Sequence, residues 1–156
     1  MLSQRSNICR FAIIESALVV PMSLTAALIT PTFGISYGLM KKKWFSEMQF
    51  RSLRIQTKLF EDYYRDTCKI QKQDMICFLK SNSSYIAKPE LVNTTAKVTI
   101  IVGGKEQKIM QRSAEILHNT IPNSKLKIFN EYFHGELSLN YPNDYVDLLT
   151  HLLLDM

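Results

Sequence analysis

Two residues stand out for the chemistry they could do together. Lys97-Val98-Thr99-Ile100-Ile101-Val102 is a short β-branched run, and Gly103-Gly104-Lys105-Glu106 turns the chain behind it and leaves a carboxylate at the turn. The next alternating run, Lys125-Leu126-Lys127-Ile128-Phe129, is followed by Phe133-His134-Gly135. An imidazole titrates near neutrality and can serve as a general base, and a carboxylate on its other nitrogen fixes the tautomer and stabilises the imidazolium. Glu106 and His134 are therefore the candidate acid and base. Read singly, Glu106 would cap the helix that follows it, and His134 would be a loop histidine beside a turn glycine.

A nucleophile would complete the set, and Gly34-Ile35-Ser36-Tyr37-Gly38 has the spacing of a Gly-x-Ser-x-Gly turn. It also precedes the acid and the histidine in chain order. Its setting is poor, because Leu28-Ile29-Thr30-Pro31-Thr32-Phe33 puts a proline where a buried strand needs a ladder donor. Two accounts stay open: Ser36 as the nucleophile of a small complete enzyme, or a nucleophile on polypeptide outside this chain. His118 and His151 have no partner at a metal-ligand spacing, so no metal is expected. Cys68 and Cys77 read as small apolar residues in helices.

These side chains need elements to carry them. Phe11-Ala12-Ile13-Ile14-Glu15-Ser16-Ala17 reads as a strand ending at a carboxylate and small residues. A short helix is predicted from Pro21 to the Thr30-Pro31 pair, a second over Tyr37–Glu47, and a long amphipathic one from Phe45 to about Cys68. In the long one, Phe50, Leu53, Leu59, Phe60, Tyr63 and Tyr64 recur at three- and four-residue steps. Helices over Gln73–Lys80 and Lys108–Asn119, strands at 98–102 and 125–129, and a last helix from Pro142 complete the pattern. Strand, helix, strand, helix implies a parallel sheet, α/β in class.

Apolar strand, Gly-Gly-Lys-Glu, amphipathic helix, Ile-Pro-Asn-Ser, strand, His-Gly and a terminal helix behind Pro142 together resemble the carboxyl-terminal part of an α/β-hydrolase. The resemblance implies a partial α/β-hydrolase fold, with residues 1–17 and 96–156 as a parallel sheet remnant and 18–95 as an inserted helical cap. It further implies Glu106 as triad acid, His134 as base, and Leu2–Arg10 as the tail of the helix behind a nucleophile that is absent. The activity it implies is serine hydrolysis of an ester, thioester or similar acyl bond, without a cofactor, by a protein truncated and inactive alone. A complementing amino-terminal chain or a homo-oligomer would then be its partner.

Composition bounds the alternatives. The chain has 156 residues, 46% of them hydrophobic and 21% charged, which suits one globular core. Its net charge of +5 is interspersed with acids nearly everywhere except Lys41-Lys42-Lys43, and no nucleic-acid-binding signature is present. The odd count of three cysteines, without a Cys-x-x-Cys pair, fits a reducing, cytoplasmic setting. Ala17–Met40 carries no charge and is followed by the three lysines, as a membrane anchor would be. Pro21, Pro31, Gly34 and Gly38 interrupt it, so a buried helical segment is the expectation and a membrane anchor or a non-catalytic, oligomerising protein the alternative.

Overall fold

The computed structural model describes residues 1–154. Three parallel strands, β1 (Phe11–Glu15), β2 (Lys97–Gly103) and β3 (Ser124–Phe129), pair in the order β1-β2-β3. Phe11 lies opposite Lys97, and Val98 opposite Ser124. β2 is central, and every residue of it after Lys97 is buried. That explains its β-branched composition, because a parallel strand covered on both faces has no use for alternating polarity.

One face of the sheet is closed by helix α5 (Lys108–Thr120), whose Met110, Ala114 and Leu117 form the core with Val98, Ile100 and Val102. Val19, Leu91 and Ile121 complete that core from the connecting segments. On the other face lies helix α7 (Pro142–Leu154), whose Tyr145, Leu149 and Leu152 line a 380 Å³ hollow with Phe11, Ile13 and Thr99. A five-residue helix, α6 (Glu136–Asn140), joins β3 and its loop to α7.

Between β1 and β2 the chain is helical: α1 (Ser23–Met40), α2 (Lys43–Ser52), a 3-10 turn at Thr57–Leu59, α3 (Phe60–Lys69), α4 (Lys72–Ser83) and a second 3-10 segment at Pro89–Asn93. The ring of Phe50 meets Phe60 and Tyr63 at centroid distances of 5.4 and 5.2 Å, which clasps α2 to α3. No helix among the described residues is long and apolar enough to cross a membrane.

The helical boundaries differ from the sequence expectation in four places, the first being the helix expected over Tyr37–Glu47, which is broken at Lys41-Lys42 and shared between the end of α1 and the start of α2. The chain does not close at Thr30-Pro31; α1 runs through Pro31, which is exposed, so the carbonyl it orphans one turn back faces water. The long helix expected from Phe45 to Cys68 is two helices, bent apart at Leu53–Gln56 with Arg54 in the left-handed region (φ 56°). Phe50 and Phe60 face each other across that bend, so their periodicity is kept although the helix is not. Residues 2–10 form turns rather than the helical tail expected of them, with Gln4 and Arg5 both donating to the Met1 carbonyl and Ser6 accepting from Thr95.

Candidate functional site

Glu106 and His134 meet at the carboxyl end of the sheet. His134 Nδ1 lies 2.8 Å from Glu106 Oε2, and a carboxylate only accepts, so Nδ1 carries the proton of that bond. The other carboxylate oxygen, Oε1, accepts from the Gly103 N–H at 2.7 Å and from Ser16 Oγ at 2.7 Å. The Glu106 side chain is 1% exposed and the His134 side chain 67%. An acid buried and saturated on one side, holding an imidazole open to solvent on the other, leaves Nε2 as the reactive nitrogen. Nε2 has no hydrogen-bond partner among the described residues.

Local structure explains the meeting. β2 ends at Gly103, and Gly103 and Gly104 run against the backbone that follows β3. A Cβ on Gly104 would come within 2.6 Å of Asn130 Cα, and one on Gly103 would strike the Tyr132 carbonyl. This close approach lets Gly104 N–H donate to Phe129 O at 2.8 Å and Lys105 N–H to Tyr132 O at 3.1 Å. Two adjacent glycines thus stitch the acid's turn to the histidine's loop. Gly135, at φ 64°, then reverses the chain into α6.

Ser16 joins β1 to both. Besides donating to Glu106, its Oγ accepts from Gly135 N–H at 3.1 Å, so one hydroxyl bridges three loops. It does so from a left-handed conformation, φ 51°, that a serine adopts at some cost. The preceding Glu15 accepts from the Ser138 N–H at 3.3 Å and brings a second negative charge near His134. Neither residue follows from sequence pattern alone. The one available signal is a carboxylate and a hydroxyl directly after an apolar strand, at the edge where a parallel sheet gathers its polar groups.

The electrostatics are those of a matched pair. Burial pushes the Glu106 carboxyl up, but the hydrogen bonds from His134, Gly103 and Ser16, together with the imidazolium's charge, outweigh it and hold the carboxyl below its ordinary value. The hydrogen bond to Glu106 raises the His134 imidazole above its ordinary value; partial burial works against this, and the charges of Glu106 and Glu15 add to it.

His134 also lines an open cleft of about 510 Å³ with Ser16, Leu18, Met110 and the α4 side of the helical segment through Phe78, Asn82 and Tyr85. Among the described residues no cluster of His, Cys, Asp and Glu could hold a metal ion. Ser36 is nowhere near a strand end. It lies inside α1 and donates to Thr32 O at 2.8 Å, an ordinary helical back-bond, with Gly34 and Gly38 on the same helix. Gly34-Ile35-Ser36-Tyr37-Gly38 is thus no nucleophile turn, because the segment before it is helix rather than a buried strand. His118 is bound to Ser124 at the far end of α5, with Nδ1 and Oγ 2.9 Å apart, and all three cysteines are free.

With this geometry in hand, the solved structures that resemble the chain are consistent with one another. An esterase from Exiguobacterium antarcticum superposes with a TM-score of 0.69 at 18% identity, over 92% of this chain and 56% of that one. MenH from S. aureus gives 0.72 at 14%, over 99% and 62%. A bromoperoxidase from Bacillus anthracis gives 0.69 at 13%, over 92% and 58%. The fold is part of an α/β-hydrolase fold. The chain spans about three-fifths of the length of these structures. No family model matches the sequence, and no curated protein matches it. Within this hydrolase fold, the parallel sheet expected from the sequence is present; its first strand stops at Glu15, short of the expected Ala17, and the other two run one residue beyond the expected 98–102 and 125–129, at both ends of β2 and at the start of β3.

Proposed function

We propose that this chain supplies the acid and base of an acyl hydrolase of ester or thioester type, and that the nucleophile and oxyanion donors come from polypeptide outside residues 1–154. The observation that carries the reading is the Glu106–His134 contact at 2.8 Å, with the second acid oxygen already saturated and Nε2 left free. In that role Nε2 takes the proton of an attacking hydroxyl as its oxygen bonds to the acyl carbon. It returns the proton to the departing alkoxide or thiolate when the carbon–heteroatom bond breaks, and a water molecule repeats the cycle on the acyl intermediate. Glu106 stays ionised throughout and orients the ring. On this reading residues 1–17 and 96–156 are the catalytic core, 18–95 are a helical cap over the cleft, and the three free cysteines fit a reducing, cytoplasmic setting.

A base without a nucleophile has nothing to activate, so the chain alone is expected to turn over p-nitrophenyl esters no faster than its His134→Ala variant. Reconstitution is the decisive experiment. The polypeptide encoded immediately upstream, mixed with this chain, is expected to give ester hydrolysis that neither part gives alone and that His134→Ala abolishes. Fluorophosphonate labelling of Ser36 in the isolated chain, or ester hydrolysis that survives His134→Ala, would sink the proposal. A second reading, a non-catalytic interaction subunit, is favoured by the outer edge of β1, which no strand covers among the described residues; an upstream partner that binds without producing hydrolysis would select it.

A further inference from the structure

The helical segment is hydrogen-bonded to the histidine loop through one small junction. At the bend between α2 and α3, the Arg54 carbonyl accepts from Asn140 Nδ2 at 2.7 Å. Gln56 N–H donates to Asn140 Oδ1 at 3.2 Å and Gln56 Nε2 to Asn140 O at 2.9 Å. Among the described residues, these are the hydrogen bonds that join residues 23–83 to the chain from β2 onward, and all of them end on Asn140. Beside them the Arg54 guanidinium lies 3.9 Å from the centre of the Phe133 ring, a cation–π contact, with Lys105 Nζ at 5.7 Å.

Asn140 and Phe133 are the two ends of the eight-residue stretch, 133–140, that carries His134. Arg54 reaches them from a left-handed φ of 56°, a conformation an arginine does not adopt for local reasons. A strained, non-glycine bend that grips both ends of the base's loop is a device for setting where that loop sits. We infer that Arg54, Gln56 and Asn140 form a clamp through which the helical segment positions His134 against Glu106. They are positioning residues, acting through Phe133 and the α6 terminus. A shift of the helical segment, on substrate entry or partner docking, would then move the base. The consequence for catalysis rests on the acyl-hydrolase reading above; the clamp itself does not.

The test reads the imidazole directly by NMR on the full chain: the His134 titration midpoint and the Nδ1–H resonance. Arg54→Gly is the informative variant, because glycine adopts the left-handed bend freely and the turn persists without the guanidinium. Removing a positive charge would by itself raise a histidine's midpoint. A fall toward the ordinary value of about 6.5 runs against that charge effect, and together with loss of the Nδ1–H resonance it reports a weakened Glu106 contact, the largest of the influences that raise the ring. That fall is the expected result for Arg54→Gly and for Asn140→Ala, with Arg54→Lys restoring part of it by keeping a cation over Phe133. An unchanged midpoint and resonance in both Arg54→Gly and Asn140→Ala would overturn the inference. No esterase assay enters, so failure of the hydrolase reading and failure of the clamp are separate outcomes.

Discussion

At the scale of single residues, the pair Glu106 and His134 makes the chain's stability depend on pH in a defined sense. His134 is raised in the folded state, so its contribution is complete below the ordinary histidine value of about 6.5 and is lost as pH climbs through the raised value. Glu106 is lowered, so its contribution is complete above the ordinary glutamate value of about 4.3 and is lost as pH falls through the lowered value. Stability owed to the pair is therefore greatest between roughly pH 4.3 and 6.5, and denaturant midpoints measured from pH 3 to 9 should show a maximum there that Glu106→Gln flattens. In the reconstituted enzyme Glu106→Gln should lower kcat by roughly 10³- to 10⁴-fold, the effect of losing the carboxylate that sets the tautomer in other triads. Ser16 offers a sharper contrast. Ser16→Ala removes two hydrogen bonds and keeps the left-handed backbone, for a loss of about 1–3 kcal/mol. Ser16→Gly removes the same bonds but relieves the conformation, and urea unfolding should show it less damaging by about 1 kcal/mol.

Elements explain why some of this was readable in the sequence and some was not. β2 was legible from its β-branched run, and Glu106 from the two glycines behind it, because burial on both faces and a tight turn each demand particular residue types. His134 was legible from its position after β3. The role of Ser16 was not, because a hydroxyl after a strand has no pattern of its own; its partners Glu106 and Gly135 lie about a hundred residues away. The bend at Arg54 was hidden for a different reason: it contains neither glycine nor proline, and Asn140, which holds it, is 84 to 86 residues further on. Pro31 misled in the opposite direction, since an exposed proline can be carried inside a helix at a cost. Pro31→Ala should accordingly raise stability by about 1–2 kcal/mol in urea unfolding. Gly104→Ala should lose roughly 3 kcal/mol or more and disturb the His134 resonances, because the added carbon must push back the chain at Asn130.

For the molecule as a whole, the sheet is small relative to what it must anchor. The helical segment it carries leaves large apolar side chains exposed, Leu24 and Ile35 on α1 at 75% and 89% and Trp44 on α2 at 62%. Light scattering on the purified chain is expected to give a mass above the 18.0 kDa monomer, and addition of the upstream polypeptide is expected to replace that species with a stoichiometric complex. β1 offers a finer readout. Ser16 N–H bonds to Ile101 O and Lys97 N–H to Arg10 O, so the even-numbered residues of β1 turn their amides and carbonyls toward β2. By the alternation of a parallel ladder, Phe11, Ile13 and Glu15 turn theirs outward. Hydrogen exchange along this strand should therefore have a two-beat rhythm, slow at Ala12, Ile14 and Ser16 and fast at the residues between. A partner strand seated on this edge would erase the rhythm by slowing the fast beats alone, while one docked on a face of the sheet would leave it intact.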